Sequence, residues 1–210
     1  MLHLAFDMKD LGKCQQLLGI SINHELDRTL MISQQGYIKA ALQEFGLGQC
    51  KPVSILMESG WKLLPALTNN LHCSWNEYQH LIGKLMWVML TTRPDICFSV
   101  GQLSQFNANP RQQHWIAAKR VLRYLKGTIQ AKLHYSKGGN GLWGCSDSDF
   151  TEDPSQKSTS GCLFVLADGA ITWISKKQSL VASSTTEVEY IAYSEAAKEA
   201  AWLQQLSYNT

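Results

Sequence analysis

The chain has 210 residues, 45% hydrophobic and 17% charged, which excludes a disordered polypeptide and gives enough material for one large domain or two small ones. A net charge of +2 is too close to neutral to name a partner. The N-terminus MLHLAFDMKD lacks the charged start and long apolar core of a signal peptide, and Leu85 to Leu90, bounded by Lys84 and Arg93, is far short of the about 20 apolar residues that cross a bilayer. An intracellular chain with no membrane partner and reduced thiols is therefore expected, in a compartment left open. Cys14, Cys50, Cys73, Cys97, Cys145 and Cys162 are scattered without a C-x-x-C pair, and His72, Cys73 and His80 lack a fourth ligand at zinc spacing.

In chain order, Cys14 to Ile32 reads as a hairpin: an apolar run QQLLGISI, a polar connector from Asn23 to Arg28, then TLMIS. Tyr37 to Phe45 has helical spacing and closes at Gly46 and Gly48. Lys51 to Asn70, with Pro52, Gly60 and Pro65, shows no period and reads as an irregular crossing. Trp75 to Asn107 has the apolar content of two buried helices broken at Arg93-Pro94, because the residue before a proline avoids the helical region. A third helix is expected with Asn109 as its cap, Pro110 at its first position and Gly127 at its end. Trp115, Ala118, Leu122 and Leu125 make its apolar stripe, and Lys119, Arg123 and Lys126 share another face.

That helix lies in a stretch between Asp95 and Asp147 without any acidic residue, which holds Arg111, Lys119, Arg120, Arg123, Lys126, Lys132 and Lys137. Such a block reads either as a phosphate-facing surface or as a solvated helix face. Beyond Gly127 short runs alternate with turns: AKLHY, LWGCSD, GCLFVLA, then Asp168-Gly169 as a hairpin signal, then AITWISKK. A long helix closes the chain, with Ser184 and Glu187 as a capping box. Three strands followed by one helix read as an α+β or α/β opening, with α+β the expectation, and leave the sheet only partly covered.

Two pairs of acids stand out. Asp147 and Asp149 end the strand LWGCSD, and Glu187 and Glu189 open the last helix. Enzymes that hydrolyse phosphodiesters gather carboxylates around two divalent metals, and magnesium suits a few carboxylates plus water and phosphate oxygens. On the helix, Val188, Ala192, Leu203 and Leu206 mark the buried side; Glu189 lies at its margin, and Glu187 falls on the polar side as the capping residue. Asp147 and Asp149 share one side of their strand, so alternation does not choose between them. The plainer reading also stands: acids favour helix N-termini and turns.

Several long segments, in order, resemble the Pol polyprotein of copia-type LTR retrotransposons. MKDLGKCQQLLGISI, ISQQGYIKAAL, YQHLIGKLMWVMLTTRPDICFSVGQLS and HWIAAKRVLRYLKGT resemble the part of the reverse transcriptase that follows its active site. GCSDSDF, KSTSGCLFVL, ITWISKKQ and SSTTEVEYIAYSEAAKEAAWL resemble the start of the RNase H domain. Leu17 departs from the aromatic usual in that family. The resemblance covers essentially the whole chain and implies three parts: a post-active-site hairpin and thumb-like segment over 1–70, a helical connection segment over 71–128, and a truncated RNase H-like domain over 129–210. It implies an incomplete three-stranded sheet with one helix after a thumb- and connection-like helical segment. It places the first two RNase H magnesium ligands on Asp147 and Glu189, treats Asp149 as a neighbour, and puts the third and fourth past Thr210 and the polymerase aspartate pair before Phe6. The expectation is a Pol fragment without catalytic activity of its own, with an RNA–DNA hybrid and the remaining Pol segments as partners. An alternative is a non-catalytic nucleic-acid-binding module that uses Lys119, Arg120, Arg123 and Lys126. A third is a chain that works once a partner supplies missing strands and ligands.

Overall fold

The computed structural model describes residues 12–57, 74–149 and 157–208. The fold is α+β, with two antiparallel sheets and five α-helices among those residues. The first sheet begins with β1 (Gln16–Leu17), β2 (Ile20–His24) and β3 (Leu30–Ser33). The run expected as one strand, QQLLGISI, is cut in two by a tight turn. Leu18 and Gly19 both take positive φ, 50° and 82°, the geometry that matches the twist of a two-residue hairpin. The second turn holds Arg28 at φ 69°, and the Thr29 N–H donates to Asp27 Oδ1 at 2.8 Å.

Helix α1 (Gln35–Glu44) is followed by Gly46, whose φ of 68° lets the Leu47 N–H reach back to the Leu42 carbonyl at 2.7 Å. Helix α2 (Trp75–Thr91) is capped by Ser74 and gives way at Arg93-Pro94 to a 3-10 turn, Pro94–Ile96, and then to α3 (Cys97–Ser104). Helix α4 (Gln112–Gly127) starts two residues later than the proline suggested. Its cap is Arg111, not Asn109: the Arg111 N–H donates to Nδ1 of His114, which is fully buried and stacked on Phe106 at 3.9 Å. An imidazole thus takes the part that a capping side chain usually plays.

These helices enclose the main core. Ile38, Leu42, Tyr78, Leu81, Leu85, Val100, Val121, Leu122 and Leu125 are all buried there, and Trp115 packs at its margin. The AKLHY run supplies β4 (Leu133–Tyr135), which pairs with β3 (Leu30↔Tyr135), so the segment after Gly127 returns to the first sheet before it starts a second.

The second sheet has the order β5 (Trp143–Asp149), β6 (Thr159–Leu166), β7 (Gly169–Lys177), with β5 outermost on one side. The Asp-Gly signal marks the right hairpin, but the positive-φ pair is Ala167 (53°) and Asp168 (65°). Gly169 is needed for a different reason: a Cβ there would collide with the Tyr135 ring and the His134 carbonyl. One face of this sheet meets the helical core, where Trp173 Nε1 donates to the Met89 carbonyl at 2.8 Å. The other face carries α5 (Thr185–Tyr208), which lies across β5 and β6 and packs its Ala196, Ala200 and Leu203 with Cys162 and Phe164 of β6. Leu206, expected on the buried side, is 50% exposed; Ala196 is buried instead.

Candidate functional site

The two acids singled out on β5 and α5 line one open cleft of about 480 Å³, together with Ser146, Ser148, Thr186, Tyr190, Ala192 and Tyr193. Strand–helix packing creates the cleft. Gly144 sits under the Phe164 ring so closely that any Cβ would overlap it, and this lets α5 settle low over β5. Antiparallel partners share a face, so the pairs Gly144↔Phe164, Ser146↔Cys162 and Ser148↔Ser160 put the even-numbered β5 residues on the side of α5. Asp147 alternates with them. Its carboxylate turns back along its own strand, where Oδ1 accepts from the Ser148 N–H at 2.8 Å. Asp149 is exposed and is not among the residues lining the cleft.

Glu187 sits at the start of α5 as the capping residue the helix faces suggested. The Glu187 N–H donates to Ser184 Oγ at 3.2 Å, while its Oε2 accepts from the Ser183 N–H at 2.8 Å and from the Ser183 hydroxyl at 3.0 Å. Those Ser183 bonds hold the Glu187 carboxyl below the usual carboxylate range. Glu189, further into the helix, is exposed on the cleft. The Ser148 hydroxyl, also on the cleft, is buried and meets no hydrogen-bond partner among the described residues. Sequence reasoning missed Ser146, Ser148, Thr186, Tyr190 and Tyr193. The first two follow from β5 alternation once its partner is known, and the others from their spacing around Glu189 on the helix surface.

The donor set suits a hard cation in part. Two carboxylates and a hydroxyl are oxygen donors of the kind magnesium takes beside water and phosphate oxygens. Among the described residues no group of three His, Cys, Asp or Glu side chains converges. His80 reaches Glu44 at 3.4 Å, whereas His72 and Cys73 lie outside the described residues. The five described cysteines are free, and burial with Glu199 and Glu195 nearby pushes the Cys162 thiol above its ordinary range.

Three of the basic residues of α4 are tied to the segment 48–55 that precedes α2. Lys126 Nζ donates to the carbonyls of Gly48 (2.8 Å) and Cys50 (2.7 Å). Arg123 Nε donates to Lys51 O at 2.9 Å, and Arg120 Nε to Ile55 O at 3.1 Å. Lys119 Nζ sits 4.7 Å from the centre of the Trp115 ring. Among the described residues no helix is long and apolar enough to cross a membrane.

The chain is thus an α+β protein in which a strand-end aspartate and a glutamate near the start of a packed helix share one cleft. Over 211 aligned residues it is 41% identical to the retrovirus-related Pol polyprotein from transposon TNT 1-94 of Nicotiana tabacum, an alignment covering 97% of this chain and 16% of that polyprotein. It is 49% identical over 128 residues to the secreted RxLR effector protein 161 of Plasmopara viticola, covering 60% of this chain and 90% of that protein. An uncharacterized mitochondrial protein of Arabidopsis thaliana is 34% identical over 203 residues, 96% of this chain and 83% of that protein. No protein-family model matches the chain, and no solved structure matches it either. The chain belongs to the Pol polyprotein family of copia-type retrotransposons. It spans about a sixth of the tobacco polyprotein.

Proposed function

We propose that this chain is a Pol segment in which a reverse-transcriptase thumb- and connection-like helical part leads into an RNase H-like unit that holds two metal ligands, Asp147 and Glu189. The observation that carries this reading is the shared cleft, reached by one acid from β5 and the other from the first turns of α5. Magnesium bound there would supply charge stabilisation for phosphodiester hydrolysis of an RNA–DNA hybrid. Two carboxylates alone make a weak two-metal site. Loss of even a supporting ligand typically costs about 10–100-fold in affinity or activity. The chain by itself is therefore expected not to cleave.

Among the described residues β5 pairs with β6 alone, and a strand from the remaining Pol segments added on its other side would bring further ligands. The test is cleavage of an RNA–DNA hybrid in magnesium by the chain and by Glu189→Gln, each alone and co-expressed with the downstream Pol segments. The two should be equally inert alone, and only the unsubstituted chain should become active on co-expression. Cleavage by the chain alone, well above Glu189→Gln, would contradict the proposal.

A second reading, a nucleic-acid-binding module built on α4, is favoured by one observation. Lys119, Arg120, Arg123 and Lys126 crowd one helix in a stretch with no acidic residue from 96 to 146.

A further inference from the structure

The geometry points to Gln178 as the positioning residue of the cleft: a buried neutral amide that grips the peptide unit leading into Glu189, ties it to β6, and so sets where Glu189 stands against Asp147. The proposal rests on the reading of Asp147 and Glu189 as metal ligands and adds a residue that acts through the backbone. Gln178 follows the last residue of β7 and is 2% exposed. Its N–H donates to the Ser158 carbonyl at 2.8 Å, which carries the β6–β7 pairing one residue beyond Thr159↔Lys177 and fixes the origin of the side chain. Nε2 then donates twice, to Ser160 Oγ at 2.8 Å and to the Val188 carbonyl at 3.0 Å.

Both acceptors bear on the cleft. The Val188 carbonyl belongs to the same planar peptide unit as the Glu189 N–H, so a bond to it holds the plane from which the Glu189 side chain departs. Ser160 lies opposite Ser148, on the side of the sheet that faces α5, and Ser148 lines the cleft beside Asp147. One amide therefore fastens the start of α5 to the strand next to β5. Being uncharged, it adds nothing that would compete with a cation for Glu189. A carbonyl oxygen can only accept, so the amide nitrogen must face Val188 and Oε1 must point elsewhere. That oxygen is buried and has no hydrogen-bond partner among the described residues, a costly arrangement that an apolar side chain would avoid. Fold stability alone does not account for a glutamine here; a fixed seat for the first turns of α5 does.

The experiment uses the isotope-labelled full chain, with manganese(II) chloride as the probe in place of magnesium. Paramagnetic broadening of the α5 amide signals gives the affinity, and urea unfolding of each variant gives the stability. Glu189→Gln should abolish the broadening centred on the cleft. Gln178→Met keeps the length of the side chain without its donors and should weaken manganese binding about tenfold or more, the loss typical of a group that orients a ligand. Ser160→Ala leaves the Val188 bond in place and should weaken binding by less than Gln178→Met does. Gly169→Ala, at the other end of β7, should lower the urea midpoint more than Gln178→Met and leave the manganese affinity at the parental value.

Three results would overturn the proposal: parental manganese affinity in Gln178→Met, a larger loss in Ser160→Ala than in Gln178→Met, or a loss in Gly169→Ala as large as in Gln178→Met, which would tie affinity to stability and not to position. If the parent shows no broadening that Glu189→Gln removes, the metal-ligand reading fails and the clamp falls with it. If Glu189 binds the ion and Gln178→Met binds it equally well, only the clamp fails.

Discussion

Arg93 is a deeply buried cation tied into a network, and removing its partner gives the sharpest test of how the helical core is held. Its side chain is 3% exposed and Asp95 is 37% exposed. Nε and Nη2 of Arg93 donate to the two Asp95 oxygens at 2.9 and 2.7 Å, and the same guanidinium reaches the Thr128 carbonyl and hydroxyl at the end of α4. The Tyr124 hydroxyl adds a bond to Asp95 at 2.9 Å.

Asp95→Ala would leave a buried guanidinium short of its counter-charge, a loss that costs about 3–5 kcal/mol in a fully buried pair. Two features lower the figure: the Asp95 carboxylate is partly solvated and hence screened, and the Thr128 acceptors remain. The expected loss is about 2 kcal/mol. Urea unfolding followed by tryptophan fluorescence measures it, since Trp115 packs against this core. The double variant Arg93→Met/Asp95→Ala removes the stranded charge and should be about 1 kcal/mol more stable than Asp95→Ala.

Burial alone would raise the Asp95 pKa, but the Arg93 bonds and charge, with Tyr124, outweigh it and hold the group below the ordinary aspartate value. A depressed folded-state pKa gives stability that is complete above the unfolded value, about 3.9, and is lost as pH falls through the folded value. Asp95→Ala should therefore flatten the acid limb of the stability curve below about pH 4. A double variant less stable than Asp95→Ala, or an unchanged acid limb, would refute this account.

Two further substitutions probe the second sheet. Gly169→Ala forces a methyl into the Tyr135 ring and the His134 carbonyl, part of which is rigid backbone, and should cost about 1–3 kcal/mol in urea unfolding. Because Gly169 meets β4 of the first sheet, the loss should appear in a single transition shared by both sheets; a separate early transition would count against that coupling. Ser184→Ala removes the oxygen that accepts the Glu187 N–H and should cost about 1 kcal/mol, with faster amide exchange confined to the first turn of α5. Uniform exchange along the helix would argue against a local cap.

Elements specified by local chemistry are legible in the chain. The break at Arg93-Pro94, the Ser184/Glu187 cap and the hairpin at Asp168-Gly169 each depend on two or three neighbouring residues; the first two stand where those residues place them, and the hairpin's turn falls one residue earlier, on Ala167-Asp168. The start of α4 departs from its sequence signal because Asn109 and Pro110 are good local cues that a tertiary contact overrides. His114, stacked on Phe106 from the α3 side, takes the Arg111 N–H and moves the helix start inward. The basic face is legible as charge only. No pattern in residues 119–126 foretells that carbonyls 65 to 78 residues away in sequence will engage three of its cations.

The acid pair shows the same boundary at finer scale. Helical period separates Glu187 from Glu189 because the apolar stripe of α5 fixes which way the helix faces. A strand that ends in Ser-Asp-Ser-Asp carries no such stripe, so its facing depends on its partner, and the register with β6 turns Ser146 and Ser148, not Asp147, toward α5. Asp147 then reaches the cleft as an edge residue, with its carboxylate held by the Ser148 amide. With Oδ1 taken by that amide, Asp147 offers its other oxygen to a cation shared with Glu189, and a turn at the end of β5 would bring both oxygens to the cleft. Among the described residues β5 pairs with β6 alone, and a strand added on its other side would impose such a turn, because pairing sets the twist of an edge. Cation affinity at this cleft should therefore rise when the sheet is extended, even if the added strand brings no carboxylate.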